Sequence, residues 1–160
     1  MIFYGKINAD RIGTYGHSQG GAAVFNTITV QEHSELYKTA VSLSPTHEEL
    51  ADALGWHYDL KKVHVPVFII AGTAGEFEIE TVIPFEKLSD MYEELDSPKA
   101  MTRRTGAEHA NTVTDADGYV TAWFMWQLQQ DAEAAKAFTG NDPELLINPL
   151  YQDQRVNCTE

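Results

Sequence analysis

The stretch Gly16-His17-Ser18-Gln19-Gly20 decides the fold, because it has the form G-x-S-x-G. A short apolar run at residues 11–16 predicts a buried strand before it, and the small residues at 20–25 open a helix that runs to about residue 33. The backbone of a serine in such a turn is strained, and glycines two positions before and after it allow strand and helix to approach. The pattern therefore predicts a sharp turn that presents the Ser18 hydroxyl at a helix N-terminus.

Other glycine-rich turns explain the stretch less well. A dinucleotide-binding turn would need G-x-G and a later acidic residue, and a phosphate-binding loop would need G-K-[ST]. The sequence has neither at this place. A turn without any chemistry remains the alternative, and the strand before Ser18 and the helix after it weigh against that alternative.

Strand and helix patterns alternate along the rest of the chain. This alternation predicts an α/β fold in one domain over residues 1–160, with a mostly parallel sheet covered by helices. Further strands are predicted at residues 39–43, 63–71 and 99–104, the last of these being the final strand. Further helices are predicted at residues 48–56, 84–95, 118–130 and 131–138. The aromatic residues of the third of these helices, among them Trp123 and Trp126, are expected to pack in the core.

Composition excludes several classes of function. The chain has 160 residues with 11 Lys+Arg and 24 Asp+Glu, a net charge of −13, which opposes binding to nucleic acid. No apolar stretch is long enough to span a bilayer, and no signal peptide is visible. Cys158 is the single cysteine, so an internal disulfide framework and a thiolate metal site are excluded. We expect a free surface thiol there, or one half of a bridge to another segment.

A serine nucleophile needs a base, and with this motif the base follows an acid along the chain. His17 lies inside the turn and is expected to point away from the site. Four further histidines come too early, because they precede or begin the strand at residues 63–71: His33, His47, His57 and His64. His109 lies in a polar loop after the strand at residues 99–104, so it is the candidate base, with a surface histidine as the alternative.

The acid should follow the strand at residues 63–71, where the chain offers glutamates and no aspartate. Glu78 is the first choice, Glu80 the second and Glu76 the third; all three share one side if the segment is extended. The alternative for each is a solvated surface carboxylate. The backbone N–H of Gln19 is the candidate oxyanion donor. The histidines are not spaced as metal ligands, so no metal and no cofactor is expected.

These residues resemble the α/β-hydrolase superfamily, and within it the bacterial esterase/lipase branch with cutinase-like and dienelactone-hydrolase-like enzymes. The resemblance covers residues 10–21, 65–73, the loop at His109 and residues 118–124. It implies that Ser18 is the nucleophile, that His109 is the general base and that a carboxylate after the strand at 63–71 completes a triad. The branch usually has aspartate there, so the glutamates are a departure.

A second departure concerns length. In the family the serine turn follows the fifth strand, whereas here about ten residues precede the strand before Ser18. The resemblance therefore implies the C-terminal half of the fold, without its first strands and without the loop that supplies a second oxyanion N–H. The first strand would then have an open edge, and we expect a homo-oligomer, most simply a homodimer, paired across it.

The sequence thus predicts a serine hydrolase that acts on small carboxylic esters through an acyl-enzyme. The alternative is a catalytically incompetent hydrolase fragment that acts as an assembly or interaction unit. A third reading is acyl transfer to an acceptor other than water. The acyl and alcohol specificity is not encoded in these motifs. Export is common among enzymes of this branch, and the sequence does not fix the compartment.

Overall fold

A five-stranded sheet with sequential strand order organises the part of the chain that the computed structural model describes, residues 5–158. The first four strands pair in parallel, and the fifth pairs antiparallel with the fourth. The strands are β1 (Ile12–His17), β2 (Tyr37–Leu43), β3 (Val67–Gly72), β4 (Lys99–Arg104) and β5 (Tyr151–Asn157). The predicted α/β class with a mostly parallel sheet is confirmed.

Helices cover both faces of this sheet. They are α1 (Gln19–Thr29), α2 (Glu48–Ala53), α3 (Phe85–Glu94), α4 (Thr112–Asp115), α5 (Asp117–Gln129), α6 (Ala132–Ala135) and α7 (Glu144–Ile147). Apolar residues of α1 and α3 pack on one face of the sheet, and those of α5 pack on the other. Among the described residues, no helix has both the length and the apolar character to cross a bilayer.

Strand β3 shows why the sheet is covered on both sides. All of its residues are buried, and its side chains alternate between the two cores. Val67, Ile69 and Ala71 belong to the core under α1 and α3. Phe68 and Ile70 belong to the core under α5, where Phe68 contacts the ring of fully buried Trp123. The predicted core position of Trp123 is therefore confirmed.

Several predicted elements differ from the structure. The strand at 99–104 is not the last one, because β5 follows it; its sequence YQDQRVN is polar, and as an outer strand it is mostly half-exposed. The helix predicted at 48–56 ends at Ala53, and the helix predicted at 131–138 is reduced to the short α6. The extended form considered for residues 76–80 is not observed, because most of this segment lies in a π-helix, Phe77–Val82.

Strand β1 is the other outer strand of the sheet. Tyr15 on this strand is 62% exposed, and an apolar groove runs beside it. The side of β1 that faces away from β2 is therefore open within residues 5–158.

Candidate active site

The turn between β1 and α1 places Ser18 at the carboxyl end of the sheet. Ser18 has φ 60° and ψ −121°, outside the regions that side-chain-bearing residues favour. Its N–H donates to the carbonyl of Leu43 on β2 at 2.9 Å, and its carbonyl accepts from the N–H of Ala22 at 3.1 Å. The Ser18 hydroxyl does not cap α1, so helix capping does not occupy it. Backbone contacts thus hold the strained residue and leave its hydroxyl for other partners.

Glycine requirements at this turn differ from the sequence expectation at one position. A Cβ on Gly16 would lie 2.2 Å from the carbonyl oxygen of Gly20, so glycine at 16 is required as expected. A Cβ on Gly20 would meet no described atom within 4 Å, so the expectation for Gly20 is wrong. Gly21 has the second tight position, because its Cβ would lie 2.9 Å from the carbonyl oxygen of Leu43.

Glu78 is fully buried directly beneath the candidate base. Its Oε2 lies 2.6 Å from Nδ1 of His109. Its Oε1 accepts a hydrogen bond from the Ser44 hydroxyl at 2.7 Å and another from the Gly72 N–H at 2.5 Å. Three donors from three parts of the chain therefore satisfy this carboxylate, which removes the usual penalty for burying it.

Of the three candidate glutamates, the structure brings only Glu78 to His109. Glu76 and Glu80 are exposed. The separation arises because the segment is helical, so the three side chains do not share one side. Gly75, with φ 79°, begins the turn, and its carbonyl accepts from the N–H groups of Glu78 and Ile79 at 3.0 and 3.1 Å. The structure brings the first choice, Glu78, to His109, and its role as the triad acid stays a prediction. The extended geometry under which the three glutamates would share one side is not observed.

His109 lies between β4 and α4, as the first residue of a single 3₁₀ turn. Two N–H groups, of Thr73 and Ala74, bind the carbonyl of Ala107 at 3.0 Å each and tie this loop to the end of β3. A Cβ on Gly72 would lie 2.3 Å from that carbonyl oxygen, so only glycine allows the approach. Because a carboxylate accepts, Nδ1 of His109 carries a proton, so in the neutral imidazole Nε2 is the nitrogen with a lone pair.

His17 does not point away from the site, contrary to the sequence expectation. Its ring centroid lies 4.4 Å from that of His109, with the planes tilted by 42°. Its Nε2 lies 2.8 Å from the carbonyl oxygen of His109. Burial lowers the pKa of His17, and the nearby His109 lowers it further, against opposing effects of this hydrogen bond and of Glu78. No pattern in the sequence connects positions 17 and 109, so this contact was missed.

Phe77 is a second aromatic contact that the sequence did not reveal. Its ring meets the His109 ring edge-on, with centroids 5.0 Å apart and an interplanar angle of 87°. The Phe77 side chain is 58% exposed, unusual for a large apolar residue that is part of a packed site. The imidazole of His109 therefore contacts His17, Phe77 and Glu78 at once.

Gln19 is the first residue of α1, and its side chain is exposed. The first N–H groups of a helix have no carbonyl partner within it and carry partial positive charge. Among residues 5–158, no group of three or more histidine, cysteine, aspartate or glutamate side chains is arranged to hold a metal ion. At this end of the sheet, an imidazole bonded to a carboxylate contacts His17, the residue directly before the strained Ser18.

Comparison with solved structures identifies the architecture. A crystal structure of puromycin hydrolase matches with TM-score 0.57 and 18% identity, over 76% of this chain and 22% of that one. Dienelactone hydrolase from Anabaena variabilis ATCC 29413 matches with TM-score 0.55 and 24% identity, over 74% of this chain and 50% of that one. This chain has part of the α/β-hydrolase fold.

An acylaminoacyl peptidase in complex with Z-Gly-Gly-Phe-chloromethyl ketone shares this α/β-hydrolase architecture, with TM-score 0.61 and 14% identity. That match covers 89% of this chain and 27% of the peptidase. This α/β-hydrolase-fold chain thus spans half or less of the length of each of these three proteins. No protein-family model matches it, and no curated protein is significantly similar in sequence. The resemblance to the α/β-hydrolase superfamily is confirmed at the level of fold.

Proposed function

We propose that this chain is a serine hydrolase that acts on carboxylic esters through Ser18, His109 and Glu78. The observation that carries the proposal is the 2.6 Å hydrogen bond between Nδ1 of His109 and Oε2 of Glu78. That bond leaves Nε2 of the imidazole as a base, and the His109 ring contacts His17, the residue directly before Ser18. Fold similarity to proteins named hydrolase or peptidase supports the same class of reaction.

The proposed reaction has two symmetrical halves. Nε2 of His109 takes the proton of the Ser18 hydroxyl as Oγ attacks the ester carbonyl carbon. The imidazolium then gives this proton to the alcohol oxygen as the C–O bond breaks, which leaves an acyl-enzyme. Water repeats the sequence, with His109 as base and then acid, and releases the carboxylic acid. Glu78 keeps the proton on Nδ1 and stabilises the imidazolium in both halves.

The N–H of Gln19 is the proposed donor to the oxyanion, supported by its place at the start of the eleven-residue helix α1. A second donor is not assigned to any described residue. Loss of one oxyanion donor costs about 100- to 1,000-fold in rate. We therefore expect weak turnover if Gln19 acts without a second donor.

A fluorophosphonate probe tests the nucleophile directly, because it reacts with activated serines. We expect labelling of the wild type and of Ser34→Ala, a matched control in the β1–β2 connection, and none of Ser18→Ala. Hydrolysis of p-nitrophenyl acetate should follow the same pattern. A folded wild type that the probe does not label would contradict the proposal.

Ester rather than amide substrates are proposed, because an alcohol leaves more readily than an amine and places less demand on a site with one assigned oxyanion donor. Similar structures include both a dienelactone hydrolase and an acylaminoacyl peptidase, so the fold does not decide between ester and amide substrates. The rates of ester and amide cleavage must therefore be measured. A p-nitrophenyl ester and the p-nitroanilide of the same acid form the matched pair. Faster cleavage of the anilide would overturn the ester assignment. Added alcohols that divert the acyl group from water would indicate acyl transfer instead.

The second candidate function is an assembly unit without catalysis, favoured by the open edge of β1. An unpaired outer strand offers N–H and C=O groups to another chain, and exposed Tyr15 lies on that strand. We propose a homodimer paired across this edge. Sedimentation should show a dimer that Tyr15→Lys weakens, whereas a monodisperse wild-type monomer would contradict the pairing.

A further inference from the structure

His17 joins the two parts of the chain that the proposed reaction must keep together. It is the last residue of β1 and directly precedes Ser18. Its imidazole contacts His109, 92 positions later in the chain, by ring packing at 4.4 Å and by a 2.8 Å hydrogen bond. The serine turn and the base loop are therefore linked by a side chain that itself belongs to the turn.

The protonation of His17 follows from its partner. A carbonyl oxygen can only accept, so Nε2 of His17 carries a proton and donates it to the carbonyl of His109. Burial lowers the pKa of His17, so the ring is neutral at neutral pH and adds no positive charge beside the base. The titratable groups that face it are His109 and Glu78. A neutral donor can hold the base loop without opposing the imidazolium that forms during turnover.

The same carbonyl of His109 has a second donor. The Thr112 hydroxyl lies 2.9 Å from it and also 2.9 Å from the hydroxyl of Ser44, which in turn binds Glu78. The backbone of His109 is thus held from two sides, by His17 and by Thr112. With Nδ1 bound to Glu78, the imidazole has one nitrogen, Nε2, left for the reaction.

We propose that His17 is a positioning residue that keeps the imidazole of His109 aligned with the Ser18 hydroxyl. This inference rests on the proposed function, because it concerns the geometry between its nucleophile and its base. Removal of His17 should affect the chemical step more than substrate binding, because His17 acts through His109.

Three substitutions separate the two contacts of His17. His17→Gln can keep a donor near the position of Nε2, His17→Phe keeps a ring without a donor, and His17→Ala removes both. With p-nitrophenyl acetate, we expect kcat to fall up to about 100-fold in His17→Ala, because small misplacements of a reacting group cost that much. We expect KM to change little, His17→Gln to recover most of kcat and His17→Phe to recover less. Ser34→Ala is the control, with unchanged kcat.

A second measurement needs no turnover. In proton NMR, the Nδ1 proton of His109 should exchange with water faster in His17→Ala and His17→Phe than in the wild type and in His17→Gln. Wild-type kcat in His17→Ala, or an equal loss of kcat in all three variants, would overturn the role of His17. An inactive, unlabelled wild type would instead defeat the proposed function, and the exchange rates would then decide the positioning role: equal rates in all variants would overturn it.

Discussion

Glu78 and Glu48 are carboxylates that follow neighbouring strands of the sheet. Hydrogen-bond donors surround the first, whereas other acidic groups lie near the second. Glu78, after β3, is completely buried and meets three hydrogen-bond donors. Glu48, at the start of α2 after β2, is half-buried and meets other carboxylates, chiefly Glu94. Burial raises the pKa of Glu48 to about 7, and Glu94 adds to this effect.

The difference shows that depth alone does not decide what a carboxylate does in this molecule. The group with donors is the deeper of the two, and it is the one bonded to Nδ1 of His109. The shallower group, Glu48, lacks comparable donors among the described residues, and its pKa is raised above the ordinary value. Near Glu48, the neighbouring acids Glu94 and Asp59 each have a lysine partner, at 3.5 and 3.0 Å. The hydrogen-bond partners, rather than the position after a strand, therefore distinguish the carboxylate bonded to His109 from the carboxylate with the raised pKa.

The largest expected effect comes from exchanging carboxylate for amide at the two sites. Glu78→Gln should lower kcat/KM for p-nitrophenyl acetate about 10,000-fold. The Ser44 and Gly72 donors hold the amide oxygen, so the amide NH2 group faces Nδ1 of His109 and no longer accepts its proton. Glu48→Gln, the same chemical change outside the proposed site, should leave kcat/KM unchanged. Steady-state kinetics of both variants measures the contrast, and similar losses in the two would remove it.

Removal of one donor should make the surroundings of Glu78 more like those of Glu48. Ser44→Ala deletes the 2.7 Å hydrogen bond to Oε1 and the 2.9 Å contact with the Thr112 hydroxyl, both in a fully buried place. We expect the free energy of unfolding in urea to fall by about 1–3 kcal/mol, the cost of losing a buried hydrogen bond to a carboxylate, while Oε1 keeps its bond from the Gly72 N–H. Ser44 has a positive φ of 41°. Alanine and serine both have a Cβ and similar backbone preferences at such an angle, so the substitution adds no backbone strain. Unchanged stability would show that the other two donors satisfy Glu78.

The pH dependence of stability should carry the signature of Glu48. Its pKa is raised in the folded protein, so between about pH 4.5 and 7 the folded state binds more protons than the unfolded state. Stability from this group is therefore present at low pH and is lost as pH rises through 7. Glu48→Gln should raise the free energy of unfolding by about 1 kcal/mol at pH 8, after allowance for solvent screening, and by nothing at pH 4. An equal effect at both pH values would contradict this assignment.

The smallest effect tests the role of Glu94 in the same region. Glu94→Gln removes the nearest like charge, so the pKa of Glu48 should fall while burial still holds it above 4.5. Carboxyl carbon shifts of Glu48, followed by NMR across the titration, measure this change. Asp90→Asn on the exposed side of α3 is the control. A pKa of Glu48 that is the same in both variants would show that Glu94 does not contribute to the shift.

Local patterns in the sequence predicted the parts of the site that short-range rules govern. The serine turn follows from its glycines, and the parallel strands follow from apolar runs such as that of β3. Glu78 was preferred correctly for contact with His109, although the π-helix that buries it was not foreseen, because such helices have no strong sequence signal. Catalytic roles for these residues remain predictions.

Two features could not be predicted because they depend on distant parts of the chain. Strand β5 is polar and gains its structure from pairing with β4, so its own sequence has no apolar alternation. The contact of His17 with His109 exists only after the ends of β1 and β4 are brought to one edge of the sheet. Neither the residue types nor their spacing encodes that proximity.

The sequential order of the strands has a consequence for how the molecule is made. Each strand from β2 onward pairs with the strand synthesised just before it. During synthesis on the ribosome, each new strand can therefore add to the growing edge of the sheet, and none has to insert between two earlier strands. Ser18 leaves the ribosome with the first turn, Glu78 after the third strand and His109 after the fourth. The proposed nucleophile is therefore synthesised before the proposed base, and Ser18 cannot meet His109 until the four parallel strands have emerged.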